Sequence, residues 1–219
     1  MKKTVAFVPV KLNNERMPGK NTKAFEGGEP LIYYILSTLK QVRGIDEIIV
    51  YCSDDAICDF LPEGVRFLRR DPYLDLNTTL ILEVLQYFAR DVDADVYVLA
   101  HATAPFLRAA SIEQGIAAVA SGEHDSAMTV APVREFVWHN GQPLYDTMKI
   151  PRTQDLTGTF AETTGLYVYT KDLIQQGRRI GNKPCLVEVE YSETVDINNP
   201  EDFVIAQQVF NQLVGRGEL

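Results

Sequence analysis

Positive charge is in short supply in this chain. Its 21 lysines and arginines face 30 aspartates and glutamates, a formal balance of −9. That acidity argues against general nucleic-acid binding, although a single basic loop can still set up a local field for a nucleotide. Cysteine is sparser still: Cys52, Cys58 and Cys185 are odd in number and lack metal-ligand spacing, a usage that fits the reduced cytoplasm. No apolar run reaches the ~18 residues of a membrane-spanning helix. Met1-Lys2-Lys3 leads straight into a strand pattern, so neither a membrane span nor a signal peptide is expected. A Walker phosphate loop and a G-x-G-x-x-G fingerprint are both missing, so any phosphate site must be built another way. Internal repeats, low-complexity tracts and linkers are absent too. The 219 residues therefore read as one domain, 1–219, with a modest insertion.

What is present is an ordinary core composition, 46% hydrophobic and 23% charged, laid out as alternating strands and helices. Val5–Val10 is a short continuous apolar run, the pattern of a strand buried on both faces, with Pro9 marking an early end. Pro30–Val42 brings Leu31, Tyr34, Ile35 and Leu39 to one face at helical spacing, and Gly44 stops it. Ile45–Cys52 is a second buried strand and Val65–Arg70 a short strand or extended edge. Asp71–Thr79 is a turn-rich loop ending in helix-capping residues, and Leu80–Arg90 is a helix. Asp95–Ala100 is the clearest strand and is expected near the sheet centre. Helix Ile112–Ser121, strand Asp125–Pro132, strand Leu186–Val189 and a helix start at Pro200-Glu201-Asp202 follow. This alternation predicts a doubly wound α/β fold. Residues 133–160 break it: Asn140-Gly141 is a hairpin-turn signal, and Pro143, Pro151 and Gly158 surround it. The stretch suits an inserted arm, and equally a local hairpin folded on its own domain.

The segment from Lys11 to Asn21 runs against the acidic balance, since Lys11, Arg16, Lys20 and nearby Lys23 face only Glu15. In an open α/β sheet, ligands bind at the carboxyl ends of strands, where such a loop offers N–H groups and cations to a polyphosphate. On charge alone a solvated surface turn suits it as well. Arg16-Met17-Pro18-Gly19-Lys20-Asn21 resembles the signature loop of the sugar-activating cytidylyltransferases, the enzymes that make CMP-sialic acid and CMP-Kdo. Lys11 stands where that family has an arginine, which keeps the charge and loses the planar fork. His101 to Arg108 resembles a family stretch in which a glutamine contacts the acceptor sugar. Thr103 and Pro105 match, and His101 takes the glutamine's place. Pro151 to Leu156 and Thr164 to Tyr169 follow in the family's order, with Thr164 in the place of an asparagine. Ser192 to Phe203 resembles the segment in which a strand delivers two aspartates to a metal. Asp196 is retained there, Asn198 replaces the second aspartate, and Asp202 begins the last helix.

The resemblance covers most of the chain, from Val5 to Phe203. It implies an α/β fold: a single Rossmann-like nucleotidyltransferase domain with a mixed, mostly parallel sheet, helices on both faces, and a 133–160 arm used for dimerisation. It implies transfer of CMP from CTP to an acidic sugar by a homodimer, with no nucleic-acid or membrane partner. Lys11, Arg16 and Lys20 would hold the triphosphate and stabilise the departing pyrophosphate, with Arg16 and Lys20 on a solvent-facing loop. Asn13, Asn21 and Thr103 would contact the nucleotide. His101, Arg152, Gln154 and Thr164 would meet the acceptor, Arg152 and Gln154 at its carboxylate. Asp196 and Asn198 would hold Mg²⁺. A different acceptor or nucleoside triphosphate stays open, as does a nucleotide-binding relative without turnover, an idea that Lys11 and Asn198 motivate.

Overall fold

Residues 2–219, the span described by the computed structural model, are built on one large sheet. In chain order the strands are β1 (Thr4–Val10), β2 (Glu47–Cys52), β3 (Val65–Arg69), β4 (Val96–Ala100), β5 (Ser126–Pro132), the two-residue β6 (Trp138–His139) and β7 (Gln142–Pro143), β8 (Phe160–Thr170) and β9 (Pro184–Glu188). The helices are α1 (Leu31–Gln41), α2 (Ile81–Asp91), α3 (Ala109–Ala120), α4 (Lys171–Gln175) and α5 (Pro200–Arg216). Seven strands pair in the order β3-β2-β1-β4-β8-β5-β9. All neighbours are parallel except β8, which runs antiparallel to both β4 and β5. The sheet is therefore mixed and mostly parallel, as the sequence pattern and the resemblance led us to expect.

Strand alternation explains why the central strands are apolar throughout. Ala6, Val8 and Val10 of β1 face one side, where they pack with Ile32, Ile35 and Leu36 of α1 and Ile112 and Ile116 of α3. Val5 and Phe7 face the other side, against Val84, Leu85 and Phe88 of α2 and Leu173 and Ile174 of α4. Both faces are covered, so no polar residue interrupts the run. The rings of Phe7 and Phe88 stack with centroids 4.0 Å apart. A third cluster lies at one end, where Phe25 gathers Tyr34, Phe106, Phe203 and Phe210 around the buried Ile197. This cluster clamps α5, and with it the segment just before α5, onto the carboxyl edge of the sheet.

Helix starts are set by side-chain contacts, local at α2 and long-range at α3. Thr79 does not cap α2: its hydroxyl donates to the Tyr73 carbonyl at 3.0 Å, and Glu83 accepts from the Leu80 N–H at 2.8 Å instead. Helix α3 starts three residues earlier than expected because the buried Glu193 accepts from the Arg108 N–H at 2.9 Å and from the Ser111 hydroxyl at 2.7 Å. A carboxylate so far along the chain leaves no local trace near residue 108.

The 133–160 stretch joins β5 to β8 and closes at its base through Val133 N–H donating to the Thr159 carbonyl at 2.9 Å. Its tip is the β6–β7 hairpin, with Asn140 and Gly141 both at positive φ (49° and 76°), the conformation the Asn-Gly pair favours. Phe136 and Tyr145 pack with ring centroids 4.7 Å apart. Trp138, Met148 and Ile150 stay exposed, at 59%, 93% and 65%. Among the described residues no helix is long and apolar enough to cross a membrane.

Candidate active site

The parallel strands β1, β2, β3 and β4 all end on the same edge, and antiparallel β8 begins there. That edge gathers Lys11, Ser53, Arg70 and His101, each the first residue past its strand. Lys11, Arg16, Lys20, Asn21, Arg70, His101 and Thr103 line one cavity of about 370 Å³. An adjoining hollow of about 340 Å³ shares Lys11, Arg16 and Lys20 and extends to Asn198.

The basic loop is fixed from within. Gly19 takes φ 68°, and Lys20–Thr22 form one 3-10 turn. Asn21 is buried, and its side-chain amide donates to the Lys11 carbonyl at 3.0 Å and to Asn14 Oδ1 at 3.3 Å. It thus pins the two ends of the loop together. Lys20 departs from the solvent-facing position expected for it: it is 7% exposed, and its Nζ donates to the Ile197 carbonyl at 2.7 Å. Burial lowers its pKa, while the nearby Asp196 carboxylate pulls the other way. Arg16 is exposed, as expected.

The strand-end segment supplies the acidic counterpart. Ile197 is fully buried, its N–H donates to the Thr103 carbonyl at 2.9 Å, and its own carbonyl takes the Lys20 ammonium. Its two neighbours in this extended stretch turn the other way, so Asp196 and Asn198 share one side. Asn198 bridges: its Oδ1 accepts from Arg16 Nη2 at 3.0 Å, and its Nδ2 donates to Asp196 Oδ2 at 2.7 Å. The amide orientation follows from its partners, because arginine only donates and a carboxylate only accepts. Thr164, at φ 58°, donates its hydroxyl to the same Asp196 oxygen at 3.1 Å. Asp202 is occupied elsewhere, accepting from the Asn198 and Asn199 N–H groups at 2.8 and 3.0 Å as part of the α5 cap.

His101 lies at the end of β4, where its N–H donates to the Gly165 carbonyl at 3.1 Å. Gly165 permits this approach, since a Cβ there would sit 2.9 Å from the Ala104 Cβ. The His101 Nε2 is buried without a hydrogen-bond partner among the described residues. Burial lowers the imidazole pKa, Asp196 opposes that shift, and Lys20 and Arg179 add to it. The ring is therefore neutral at pH 7, with one nitrogen available to a ligand.

Not every expected residue comes together. Asn13 is exposed and outside the cavity lining, where its neighbour Asn14 stands instead. Arg152 and Gln154 ride on the arm, both exposed and also outside that lining. Arg152 gives Nε and Nη2 to Asp155, at 2.7 and 3.0 Å, and the Gln154 carbonyl accepts from Arg134 at 2.8 Å.

The structure also brings in residues that the sequence reading passed over. Arg70 is 5% exposed and gives Nε and Nη2 to Asp75 Oδ1 at 3.1 and 2.7 Å. Ser53 donates to the other Asp75 oxygen at 2.5 Å. Lys11 Nζ donates to Asn77 Oδ1 at 2.6 Å and to the Asp75 carbonyl at 3.1 Å, tying the basic loop to the 71–79 loop. The available signal was position: Arg70 directly follows β3, a parallel strand whose carboxyl end lies on the same edge as that of β1, with β2 between them.

Comparison with known proteins places this architecture. A family model described as cytidylyltransferase matches residues 5–206. The N-acylneuraminate cytidylyltransferase A of Danio rerio is 24% identical over 214 residues, covering 93% of this chain and 50% of that protein. The CMP-N,N'-diacetyllegionaminic acid synthase of Legionella pneumophila is 23% identical over 222 residues, covering 94% and 95%. A 3-deoxy-manno-octulosonate cytidylyltransferase 2 of Hydrogenovibrio crunogenus is 25% identical over 130 residues, 59% of this chain and 52% of its own. The chain thus spans about half the length of two of these curated relatives and nearly all of the third. In fold it is similar to a CMP:2-keto-3-deoxy-manno-octonic acid synthetase solved with CTP. The TM-score is 0.71 at 16% identity, covering 96% of this chain and 99% of that one. It is also similar to a 4-diphosphocytidyl-2C-methyl-D-erythritol synthase from Anaerococcus prevotii, with a TM-score of 0.67 at 17% identity and 96% coverage of both chains.

Proposed function

The chain belongs to the cytidylyltransferase family, and from that premise we propose that it transfers CMP from CTP to a hydroxyl of an acidic sugar, a nonulosonic or 3-deoxy-ulosonic acid. The sugar oxygen forms a bond to the α-phosphorus, the bond from that phosphorus to the pyrophosphate oxygen breaks, and the hydroxyl proton is lost. The relatives, all named for forming CMP-sugars of this class, support the choice of substrate. The observation that carries the reading is the Arg16–Asn198–Asp196 bridge beside the buried Lys20 ammonium, all on the carboxyl edge of the sheet.

Both reactants are anions, so the site must supply positive charge and alignment more than covalent chemistry. Arg16 and Lys20 hold the phosphates and stabilise charge on the departing pyrophosphate. Lys11 adds its charge while holding the 71–79 loop against the basic loop. Asn21 sets the loop's shape and Thr103 lines the nucleotide end; Asn13 would act from the rim. His101 and Thr164 face the acceptor, with Arg152 and Gln154 closing over it from the arm. A neutral His101 offers the sugar one donor or one acceptor without adding charge.

The donor set around Asp196 suits a Mg²⁺ ion shared with the substrate phosphates and does not suit a cage made of protein alone. Mg²⁺ needs only one or two carboxylates when phosphates and water complete its shell. Asp196 has one oxygen not engaged by Thr164 or Asn198. Asn198 would serve by holding Asp196 and Arg16 in place, since its only ligating atom accepts from Arg16. When bound, the ion would neutralise phosphate charge and favour the ionised nucleophile.

The exposed Trp138, Met148 and Ile150 support a homodimer in which the arm buries these side chains on a second copy. The three cysteines are free, in keeping with a cytoplasmic setting. The test is pyrophosphate release with CTP, UTP, GTP and ATP against a panel of sugar acids. We expect release that requires both CTP and an acid. Equal use of another triphosphate would replace the nucleotide assignment. CTP binding without turnover on any acid would favour the non-catalytic alternative that Asn198 motivates.

A further inference from the structure

The Asp196 carboxylate is held from β8 by a residue in an unusual conformation. Among the described residues two that are not glycine have positive φ, Asn140 and Thr164. Asn140 sits in the hairpin turn and is of a type that tolerates the left-handed region. Threonine is not of that type, and a β-branched side chain at φ 58° is a backbone outlier that stores strain. Gly165, the next residue, could take that conformation without cost, yet its own φ is not positive. The glycine serves close approach instead, since a Cβ there would meet the Ala104 Cβ at 2.9 Å. The strain thus falls on the residue that carries a hydroxyl.

A bulge in β8 imposes this conformation. β8 pairs with β5 at Tyr167–Met128 and again at Glu162–Val130, so Thr129 alone of β5 lies between the two pairs, against Thr163 to Leu166 of β8. Bulges re-aim side chains and are common beside active sites. Both flanks of this one are anchored. The buried Thr163 hydroxyl lies 2.7 Å from that of Thr129, and the Gly165 carbonyl accepts the His101 N–H at 3.1 Å. Between them the half-buried Thr164 donates to Asp196 Oδ2 at 3.1 Å. Asn198 Nδ2 donates to the same oxygen at 2.7 Å. Two donors from separate elements hold the carboxylate against rotation and leave its other oxygen free. A hydroxyl has one proton to give, so Thr164 can meet the acceptor with lone pairs only.

We propose that Thr164 is a positioning residue: the β8 bulge holds it under strain so that its hydroxyl fixes the Asp196 carboxylate, and it acts on turnover through Asp196 more than through acceptor affinity. The inference rests on the cytidylyltransferase reading and on Asp196 as the carboxylate for the ion. Strain of this kind persists only where the surroundings over-determine it, and here the anchored flanks of the bulge do so.

The test separates the hydroxyl from the strain. Thr164→Ser keeps the hydroxyl, Thr164→Val keeps the branched side chain and its strain without the hydroxyl, and Thr164→Gly removes both. Pyrophosphate release from CTP is measured with N-acetylneuraminic acid and 3-deoxy-manno-octulosonic acid. Mn²⁺ binding to the CTP-loaded proteins is read by electron paramagnetic resonance, and melting is followed without metal. Thr164→Val and Thr164→Gly should each lose on the order of 10-fold in kcat and in Mn²⁺ affinity, the scale of an outer partner of a metal-binding carboxylate. KM for the acid should stay near the wild-type value, and Thr164→Ser should recover most of both losses. Thr164→Gly should nevertheless melt about 2–4 °C above Thr164→Val, because it relieves the strain. Rate that follows the hydroxyl while stability follows the strain is a pattern that a purely structural residue does not give. A raised KM for the acid in Thr164→Val, with kcat and Mn²⁺ affinity kept, overturns the proposal. So does a Thr164→Gly protein that melts no higher than Thr164→Val. Both results leave the cytidylyltransferase reading standing. Where neither acid is turned over, the Mn²⁺ and melting comparisons decide alone. Failure of the wild type to bind CTP would strike that reading first and this inference with it.

Discussion

At the end of the cleft proposed for the nucleotide, three loops are tied to one another by groups that have little freedom left. Asn21 closes the basic loop, Lys11 joins it to the 71–79 loop, Arg70 and Ser53 hold Asp75, and Lys20 reaches the Ile197 carbonyl. At the end proposed for the acceptor, the His101 Nε2 lacks a partner among the described residues, and the arm shows apolar side chains to solvent. The first end is arranged before any ligand arrives, as electrostatic stabilisation of a transferring phosphoryl group requires. The second leaves its polar groups to be satisfied by whatever acceptor fits. A family that keeps one nucleotide and varies its sugar would place its rigid and adaptable parts in this way.

The largest effect should come where the two ends meet. Asp196→Ala removes the carboxylate proposed for the metal, and turnover should fall on the order of 10³-fold or more. Steady-state pyrophosphate release at saturating Mg²⁺ measures it, and full activity would move the ion elsewhere. Arg16→Ala and Lys20→Met should each lose about 10²-fold, but they should separate in stability. Arg16 is exposed, so its variant should melt like wild type. Lys20→Met leaves the buried Ile197 carbonyl without its partner, which costs about 1–3 kcal/mol in denaturant unfolding.

Asn198→Asp sharpens the contrast on a smaller scale. It sets a second carboxylate beside Asp196 in place of a hydrogen-bonding amide. Without metal the pair should repel and lower the melting temperature; added Mg²⁺ should restore it. The Mg²⁺ concentration for half-maximal rate should drop by about 3- to 10-fold, as expected for an added carboxylate near a hard cation. An unchanged melting temperature and metal requirement would mean that position 198 does not sense the ion.

The smallest effect concerns His101, whose pKa is pushed down by burial. Below the ordinary imidazole value of about 6.5, the unfolded chain takes up a proton that the folded chain refuses. Folding stability therefore falls as pH drops from about 6.5 toward the lower folded value, by at most ~1.4 kcal/mol per pH unit. His101→Gln should flatten that part of the stability–pH curve relative to wild type. Parallel curves for the two proteins would show that the ring titrates normally.

How much of this was legible beforehand depended on whether the determining contacts were local. The Arg16–Asn21 loop shapes itself, with Asn21 bonding to residues within ten positions, so its residues carry their meaning in sequence. Asp196 was singled out through the resemblance; the alternation about the buried Ile197 that turns it to the same side as Asn198 became visible only in the fold. Lys20 was misplaced to the solvent because the carbonyl that buries it lies 177 residues away. Arg70 was missed for a related reason: it comes to the edge through the parallel pairing of β3 with β2 and β2 with β1, which the residues around it do not announce. Helix α4, with five residues, is too short to announce itself by periodicity.

The division of the edge into a nucleotide end and an acceptor end is the central claim, and calorimetric titration of CTP into three proteins tests it most directly. Arg16→Ala should weaken CTP binding by on the order of 10-fold or more, as loss of a charged phosphate contact does. His101→Gln should bind CTP as wild type does. Equal weakening in both variants, or weakening in His101→Gln alone, would contradict the account.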